Sequence, residues 1–155
     1  MSAQRTDGLF RLEVSVTAQI PAPPAAVWAR LTKAEGYPRW NSTVSRLQGP
    51  ITLGQRLEIE VPTAPGRTFR PTVVAMDAPR SMVWRDGFAP MFQGTRTFTL
   101  TDHEGGTTTF TMHEVFAGLM LPMIKGALPD LCAVFDAYAA ALAASFADPG
   151  GAVGR

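Results

Sequence analysis

The sequence predicts an α+β fold, in which a curved antiparallel sheet of about six to seven strands and two short helices pack with one long C-terminal helix around a cavity. Alternation of apolar and polar residues recurs through most of residues 43–116, which is typical of half-buried strands. Residues 131–146 instead repeat apolar side chains every three to four positions, which predicts a helix. A twisted antiparallel sheet curls and one helix does not fill its concave face, so we expect a ligand in the remaining space.

The N-terminal third of the chain predicts one strand and two short helices. Residues 9–19 alternate strictly between apolar and polar side chains, as a half-buried strand does. Prolines end this strand because they cannot donate to a ladder, and Pro24 suits the first position of a helix over residues 25–32. Residues 33–41 contain Gly36 and Pro38, which predicts a second short helix or turn.

The middle of the chain predicts further strands, and the last part predicts the long helix. The strands are expected at residues 43–47, 55–61, 67–76, 81–85, 94–101 and 107–116. The last two flank Asp-His-Glu-Gly-Gly at residues 102–106, a strong hairpin signal. The apolar stripe of the final helix consists of Leu131, Phe135, Tyr138, Leu142 and Phe146.

The length, charge and cysteine content limit the class of protein to which this chain can belong. The 155 residues suit one domain with one core, expected at residues 9–147 with flexible termini at 1–8 and 148–155. Fourteen Lys and Arg oppose thirteen Asp and Glu, so we expect no nucleic-acid partner. The longest apolar run, residues 115–124, is too short to cross a membrane, so we expect no integral membrane association. One cysteine and a polar N-terminus favour a cytoplasmic protein.

Local motifs add a resemblance to a known superfamily. Residues 21–28 read Pro-Ala-Pro-Pro-Ala-Ala-Val-Trp, residues 36–41 read Gly-Tyr-Pro-Arg-Trp-Asn, and residues 92–94 and 114–118 read Phe-Gln-Gly and Glu-Val-Phe-Ala-Gly. In this order they resemble the START-like superfamily of helix-grip domains, which includes polyketide cyclases/dehydrases, lipid-transport proteins and birch-pollen-allergen-like proteins. The resemblance implies a ligand pocket, but the superfamily contains enzymes, carriers and stress proteins, so it does not imply one chemistry. Relatives often carry His in the hairpin where this chain has Arg96.

The most informative side chains are two charged residues on apolar strand faces. The apolar face of residues 94–101 also carries Arg96, and the apolar face of residues 107–116 also carries Glu114. If both faces line the cavity, the two charges are within reach across the strands and must pair, because an unpaired buried charge costs several kcal/mol. The pair then orients a polar ligand group, or Glu114 acts as acid or base. The alternatives are a purely structural ion pair, or a register that places Arg96 at the solvent edge.

The other candidate ligand-binding residues are apolar or aromatic. Trp40 and Asn41 follow the turn at Pro38 and are predicted at the cavity wall, with core packing and a local cap as the alternative. Residues 87–93 form an unusually apolar predicted loop, which could cover a cavity mouth. The set comprises Trp40, Asn41, Trp84, Phe88, Met91, Phe92, Phe98, Met112, Phe116, Met120 and Met123.

Three functions fit these observations. The leading hypothesis is a carrier or sensor of a small lipid-, polyketide- or aromatic-like molecule, with Arg96 and Glu114 at its polar end. The alternative is a polyketide aromatase/cyclase- or dehydratase-like enzyme in which Glu114 or Tyr37 moves protons, with Arg96 as a further candidate. A third hypothesis is a protein-interaction module that docks through residues 88–92. We predict no metal, since neither histidine has neighbours at ligand spacing, and no cofactor; a homodimer is one open oligomeric state.

Overall fold

The computed structural model describes residues 2–147 and contains one large antiparallel sheet. Its six strands follow the order β1-β2-β8-β7-β6-β5. Strands β5 to β8 pair consecutively, as three hairpins. The last of them, β8, pairs on its other side with β2, which lies near the start of the chain. The strands are β1 (Gln4–Asp7), β2 (Arg11–Ile20), β5 (Thr72–Asp77), β6 (Ser81–Phe88), β7 (Phe92–His103) and β8 (Thr107–Ala117).

The connection from β2 to β5 holds the short elements. Two short helices, α1 (Pro24–Leu31) and α2 (Tyr37–Trp40), are separated by a 3₁₀ turn, as predicted from the prolines. Strands β3 (Arg46–Gln48) and β4 (Glu58–Glu60) form a separate two-stranded sheet. It is tied to the next segment by the bridge between Ile59 and Phe69.

The long C-terminal helix is α4 (Leu131–Ala144), which packs against β2. Asp130 caps its N-terminus by accepting a hydrogen bond from the Ala133 amide at 3.2 Å, so the helix starts after Pro129 instead of bending there. The short helix α3 (Leu121–Ile124) precedes it as a separate element. The predicted stripe is confirmed from Leu131 to Leu142, and these side chains are buried against the sheet.

Several sequence predictions of extent are wrong. The strands expected at residues 43–47, 55–61 and 67–76 are shorter or shifted, at Arg46–Gln48, Glu58–Glu60 and Thr72–Asp77. Residues 1–8 were expected to be a flexible terminus, but Gln4–Asp7 pair with β2 as the edge strand. All four side chains are exposed, so the strand leaves no apolar alternation to detect. Residues 87–93 were expected to be a loop, yet β6 and β7 continue until Phe88 pairs with Phe92. The predicted flexible terminus at 148–155 lies outside the described residues.

Within residues 2–147, no single helix is long and apolar enough to cross a membrane; only the bent pair Leu121–Ala127 and Leu131–Ala144 reaches the required length and composition together.

Candidate functional site

One transverse row of side chains across the inner face of the large sheet contains the predicted charged pair. Val73, Trp84, Arg96, Glu114 and Val14 lie opposite one another on five adjacent strands. Directly opposed residues point to the same face of a sheet, and Val73, Trp84 and Val14 are buried. Arg96 and Glu114 therefore project toward the core from the middle of the sheet, where the predicted alternation put them.

Arg96 and Glu114 form a tight ion pair. The guanidinium donates to Glu114 Oε1 from Nε at 2.7 Å, and its Nη2 lies 2.6 Å from the same oxygen. Their side chains are 25% and 12% exposed, so both are largely withdrawn from water. Burial is the largest single effect and lowers the pKa of Arg96, but the charge and hydrogen bond of Glu114 together with Tyr138 and Tyr37 outweigh it, so the pKa is raised. Arg96 stays charged, as an arginine beside a carboxylate should.

Within residues 2–147, one carboxylate oxygen of Glu114 has no hydrogen-bond partner. Both of these Arg96 nitrogens lie against Oε1, and within the described residues Oε2 accepts no hydrogen bond. Oε2 lies above Gly94, and a Cβ placed there would come within 3.3 Å of it. The missing side chain of Gly94 thus leaves room for the second oxygen. A carboxylate held by one oxygen and open at the other can accept a bond from a ligand or exchange a proton with it.

Two aromatic rings from α4 lie against the guanidinium, and one of them contacts a ring of α2. The Arg96 guanidinium carbon lies 5.2 Å from the ring centre of Phe135 and 5.7 Å from that of Tyr138, within cation–π range. Tyr138 also meets the edge of Trp40 at 5.8 Å and packs against Phe98 at 6.4 Å. The ion pair is therefore enclosed by rings drawn from both the sheet and the helices.

Four buried polar atoms around this core have no hydrogen-bond partner in residues 2–147. They are the indole nitrogens of Trp40 and Trp84, the side-chain nitrogen of Asn41 and the hydroxyl of Tyr138. An unsatisfied buried polar group costs about 1–3 kcal/mol. Native interiors contain few of them, and each one calls for an explanation such as a bound ligand or water.

Two buried tyrosines close to each other differ in how their hydroxyls are used. Tyr37 donates to the Leu31 carbonyl at 2.6 Å, whereas Tyr138 makes no hydrogen bond of acceptable geometry. Their rings are 6.5 Å apart. Burial is the largest cause that raises the pKa of both, and that of Tyr138 reaches about 12 despite the opposing effect of Arg96. Both hydroxyls are therefore protonated at neutral pH.

The apolar candidate residues divide between the core and the surface. Phe98 and Met112 are fully buried and Trp84 nearly so. Asn41 is fully buried and accepts from the Thr43 amide and hydroxyl, in a turn just after α2. Phe92 and Phe116 stack at 6.0 Å, next to Gly94.

A second group of candidates lies at one exposed end of the sheet. Phe88, Met91 and Met123 are exposed. The tip of the β6–β7 hairpin is joined to the segment before α3, because the amides of Leu119 and Met120 donate to the carbonyls of Pro90 and Met91 at 2.9 Å. The predicted cover of the cavity mouth, residues 87–93, and the segment that carries Met120 and Met123 are therefore held together at this end of the sheet.

The space between the sheet and α4 is filled by side chains in this structure. Phe98, Phe110, Met112, Phe135 and Tyr138 occupy it with almost no exposure. The two grooves that the structure describes lie elsewhere, one near Ile51 and one near Arg39. Sequence reasoning missed Tyr138 as a site residue; its one available signal is a polar group in the middle of the apolar stripe of α4.

Within the described part of the chain, no three His, Cys, Asp or Glu side chains lie close enough together to hold a metal ion.

Comparison with solved structures shows the fold at low sequence identity. A START superfamily protein from Mycobacterium smegmatis is 16% identical, with a TM-score of 0.63 over 86% of this chain and 96% of its own. A protein from Rhodobacter sphaeroides is 21% identical, with a TM-score of 0.66 over 94% of this chain and 97% of its own. The di-domain ARO/CYC BexL from the BE-7585A biosynthetic pathway is 15% identical, with a TM-score of 0.67 over 92% of this chain and 52% of its own.

No curated protein matches the sequence. The family model described as "Polyketide cyclase / dehydrase and lipid transport" matches residues 11–148, which include every strand of the large sheet except β1 and the whole of α4. The START-like resemblance and the α+β fold predicted from the sequence are thus confirmed, and the chain belongs to the polyketide cyclase/dehydrase and lipid transport family.

Proposed function

We propose that the protein binds a small hydrophobic molecule between the sheet and α4, as a carrier or sensor, that the side chains filling this space move apart to admit it, and that Arg96 and Glu114 meet its polar end. The observation that carries the proposal is the group of buried, unpartnered polar atoms around an otherwise apolar core. A ligand that supplied their missing partners would remove a cost that the free protein bears. Family membership supports the hydrophobic class of the ligand.

The unpartnered atoms also indicate the chemistry of the ligand. The indole nitrogens of Trp40 and Trp84 and the amide nitrogen of Asn41 are donors only, and the Tyr138 hydroxyl donates or accepts. These groups need acceptors. We therefore expect a lipid-, polyketide- or aromatic-like molecule with carbonyl or ether oxygens, in preference to a plain hydrocarbon chain.

The first test is to purify the protein natively from its own host and identify any bound compound by mass spectrometry after denaturation. A stoichiometric apolar compound that carries acceptor oxygens supports the proposal. A bound compound without such oxygens contradicts the assignment of the donors.

The second test uses Gly94→Ala, which places a methyl group 3.3 Å from Glu114 Oε2 without removing a charge. Gly126→Ala is the matched control, because a Cβ there meets no atom within 4 Å. With an anilinonaphthalene sulfonate dye as the probe, Gly94→Ala should weaken binding and Gly126→Ala should not. If both variants bound the dye equally well, the dye would bind away from Glu114, which would contradict the proposed site.

An enzyme of the cyclase or dehydratase type is the second candidate function. It is favoured by the open Oε2 of Glu114, which is positioned by Arg96 and free to exchange a proton. Tyr37 is the weaker acid/base candidate, since its hydroxyl is fully buried and donates to Leu31. With the co-purified compound as substrate, Glu114→Gln should abolish turnover and leave the fold intact if the protein is an enzyme; a carrier would show changed affinity and no turnover.

A docking surface is the third candidate, and one patch favours it. Leu9, Phe10, Phe88, Leu119 and Met123 are large apolar side chains that are 48–79% exposed, and several are joined by hydrogen bonds between their segments. Clusters of this kind mark interaction sites more often than single exposed apolar residues do. Phe88→Ser should abolish a partner complex, or a homodimer measured by sedimentation, without disturbing the core. A cytoplasmic location and the lack of a nucleic-acid partner stay predictions.

A further inference from the structure

A groove of about 320 Å³ on the outside of the molecule is lined mainly by cations. Its lining comprises Arg30, Lys33, Gly36, Arg39, Trp40 and Ser145. We call it the basic groove. The chain as a whole has a net charge of only +1, so three positive side chains without an acidic one in a single lining are a local concentration of charge.

None of the three cations forms a salt bridge within residues 2–147. Arg5, Arg11, Arg46, Arg80, Arg96 and Lys125 each lie within 4 Å of a carboxylate, but no such contact involves the cations of the basic groove. The nearest acid along the chain, Glu35, lines the other groove instead. Within residues 2–147, the positive charges of the basic groove are therefore not neutralised by a carboxylate.

Arg30 is held in place and partly removed from water. Its Nη1 donates to the Ser145 carbonyl at 2.7 Å, and its guanidinium lies 3.9 Å from the ring centre of Phe146. Burial lowers its pKa, which is the sign of a charge that has lost water without gaining a counter-ion. An arginine fixed in this way loses little freedom when it binds an anion, because its planar fork is already oriented.

Lys33 and Arg39 approach the same point above Gly36. A Cβ built on Gly36 would lie 3.7 Å from Arg39 Nη2 and 3.8 Å from Lys33 Cδ. Gly36 itself is buried and presents only backbone there. The guanidinium of Arg39 and the stem of Lys33 therefore lie beside the same small area of backbone.

We propose that the basic groove binds a doubly charged oxyanion, such as the phosphate of a small phosphate ester, at a site separate from the interior between the sheet and α4. Arginine forks match phosphate oxygens in geometry, and lysine supplies a point charge. Two arginines and one lysine suit a dianion better than a single carboxylate. Trp40 forms part of the wall and provides an apolar surface for the rest of the ester.

The test is an NMR titration of the full chain with inorganic phosphate, at neutral pH and constant ionic strength. We expect saturable shifts of the Gly36 and Ser145 amides. Arg39→Gln and Lys33→Gln change exposed residues and should each weaken phosphate binding on the order of tenfold. Arg70→Gln is the control, because Arg70 is exposed and belongs to neither the basic groove nor a salt bridge.

The proposal is overturned if the shifts do not saturate, or if Arg70→Gln weakens binding as much as Arg39→Gln. It is also overturned if the double variant of Arg39 and Lys33 binds phosphate as well as the native chain. Heteronuclear spectra of each variant report whether the fold is kept, so a loss of binding is not confused with unfolding.

Discussion

Replacing Tyr138 by phenylalanine should stabilise the unliganded protein, whereas the same replacement at Tyr37 should destabilise it. Both side chains are buried, with exposures of 1% and 0%. The change removes one hydroxyl oxygen in each case. The hydroxyl of Tyr37 donates to the Leu31 carbonyl at 2.6 Å, and that of Tyr138 has no partner in residues 2–147. The two variants therefore differ in whether a hydrogen bond to a backbone carbonyl is lost. The two hydroxyls also lie close enough to affect each other's pKa, so each variant changes the surroundings of the remaining tyrosine.

The magnitudes follow from the cost of burying a hydroxyl. A buried polar group without a partner costs about 1–3 kcal/mol, and a satisfied hydrogen bond contributes about 1 kcal/mol net. Tyr138→Phe should therefore raise the free energy of unfolding by roughly 1–2 kcal/mol. Tyr37→Phe should lower it by about 1 kcal/mol, and by more if the Leu31 carbonyl is left unpaired.

Urea denaturation of the two variants beside the native chain measures this difference. For a domain of this length, about 1 kcal/mol corresponds to a Tm shift of roughly 2–4 °C, so calorimetry gives an independent reading. A Tyr138→Phe variant that is destabilised as much as Tyr37→Phe would refute the reasoning. That result would show that the Tyr138 hydroxyl has a hydrogen-bond partner in solution.

Three further outcomes are expected. Gly118→Ala should destabilise the chain by at least about 2 kcal/mol, because Gly118 has a φ of 145° and a Cβ there would overlap the Met91 carbonyl oxygen. Gly126→Ala, whose Cβ would meet no atom within 4 Å, should be near neutral in the same urea assay. Burial raises the pKa of Tyr138 to about 12, so the unfolded chain loses this proton first and the free energy of unfolding should fall as the pH rises from about 10 to about 12. The loss of stability in this alkaline range should be smaller in Tyr138→Phe. Asp130→Ala removes the cap of α4 and should lower the urea midpoint by an amount equivalent to about 1 kcal/mol; an unchanged midpoint would show that water replaces the cap.

The position of Arg96 opposite Glu114 could be predicted because a hairpin fixes its own register. The turn after His103 sets which residues face each other, and alternation sets which face is buried. Once the turn is identified, the two charges fall on the apolar faces of adjacent strands. Their direct contact then follows from strand geometry alone.

The features that sequence reasoning missed depend on contacts between distant segments or on weak local signals. The edge strand Gln4–Asp7 is exposed at every position, so nothing in its pattern separates it from a loop. The placement of Tyr138 over Arg96 depends on how α4 docks on the sheet, which a helical stripe does not specify. The filling of the inner space by rings likewise depends on packing among all the elements.

The variant experiments bear on the central question of whether the interior is built for stability or for a ligand. An interior selected for stability alone would gain from apolar replacements at unpartnered polar positions, since removing an unsatisfied group is stabilising. Proteins keep such groups where binding requires them. If Tyr138→Phe is more stable than the native chain and binds the co-purified compound less tightly, the hydroxyl is retained at a cost to the free protein and for the benefit of the complex. If it is more stable and binds the compound equally well, the hydroxyl plays no part in recognition, and the open oxygen of Glu114 becomes the polar group to test next.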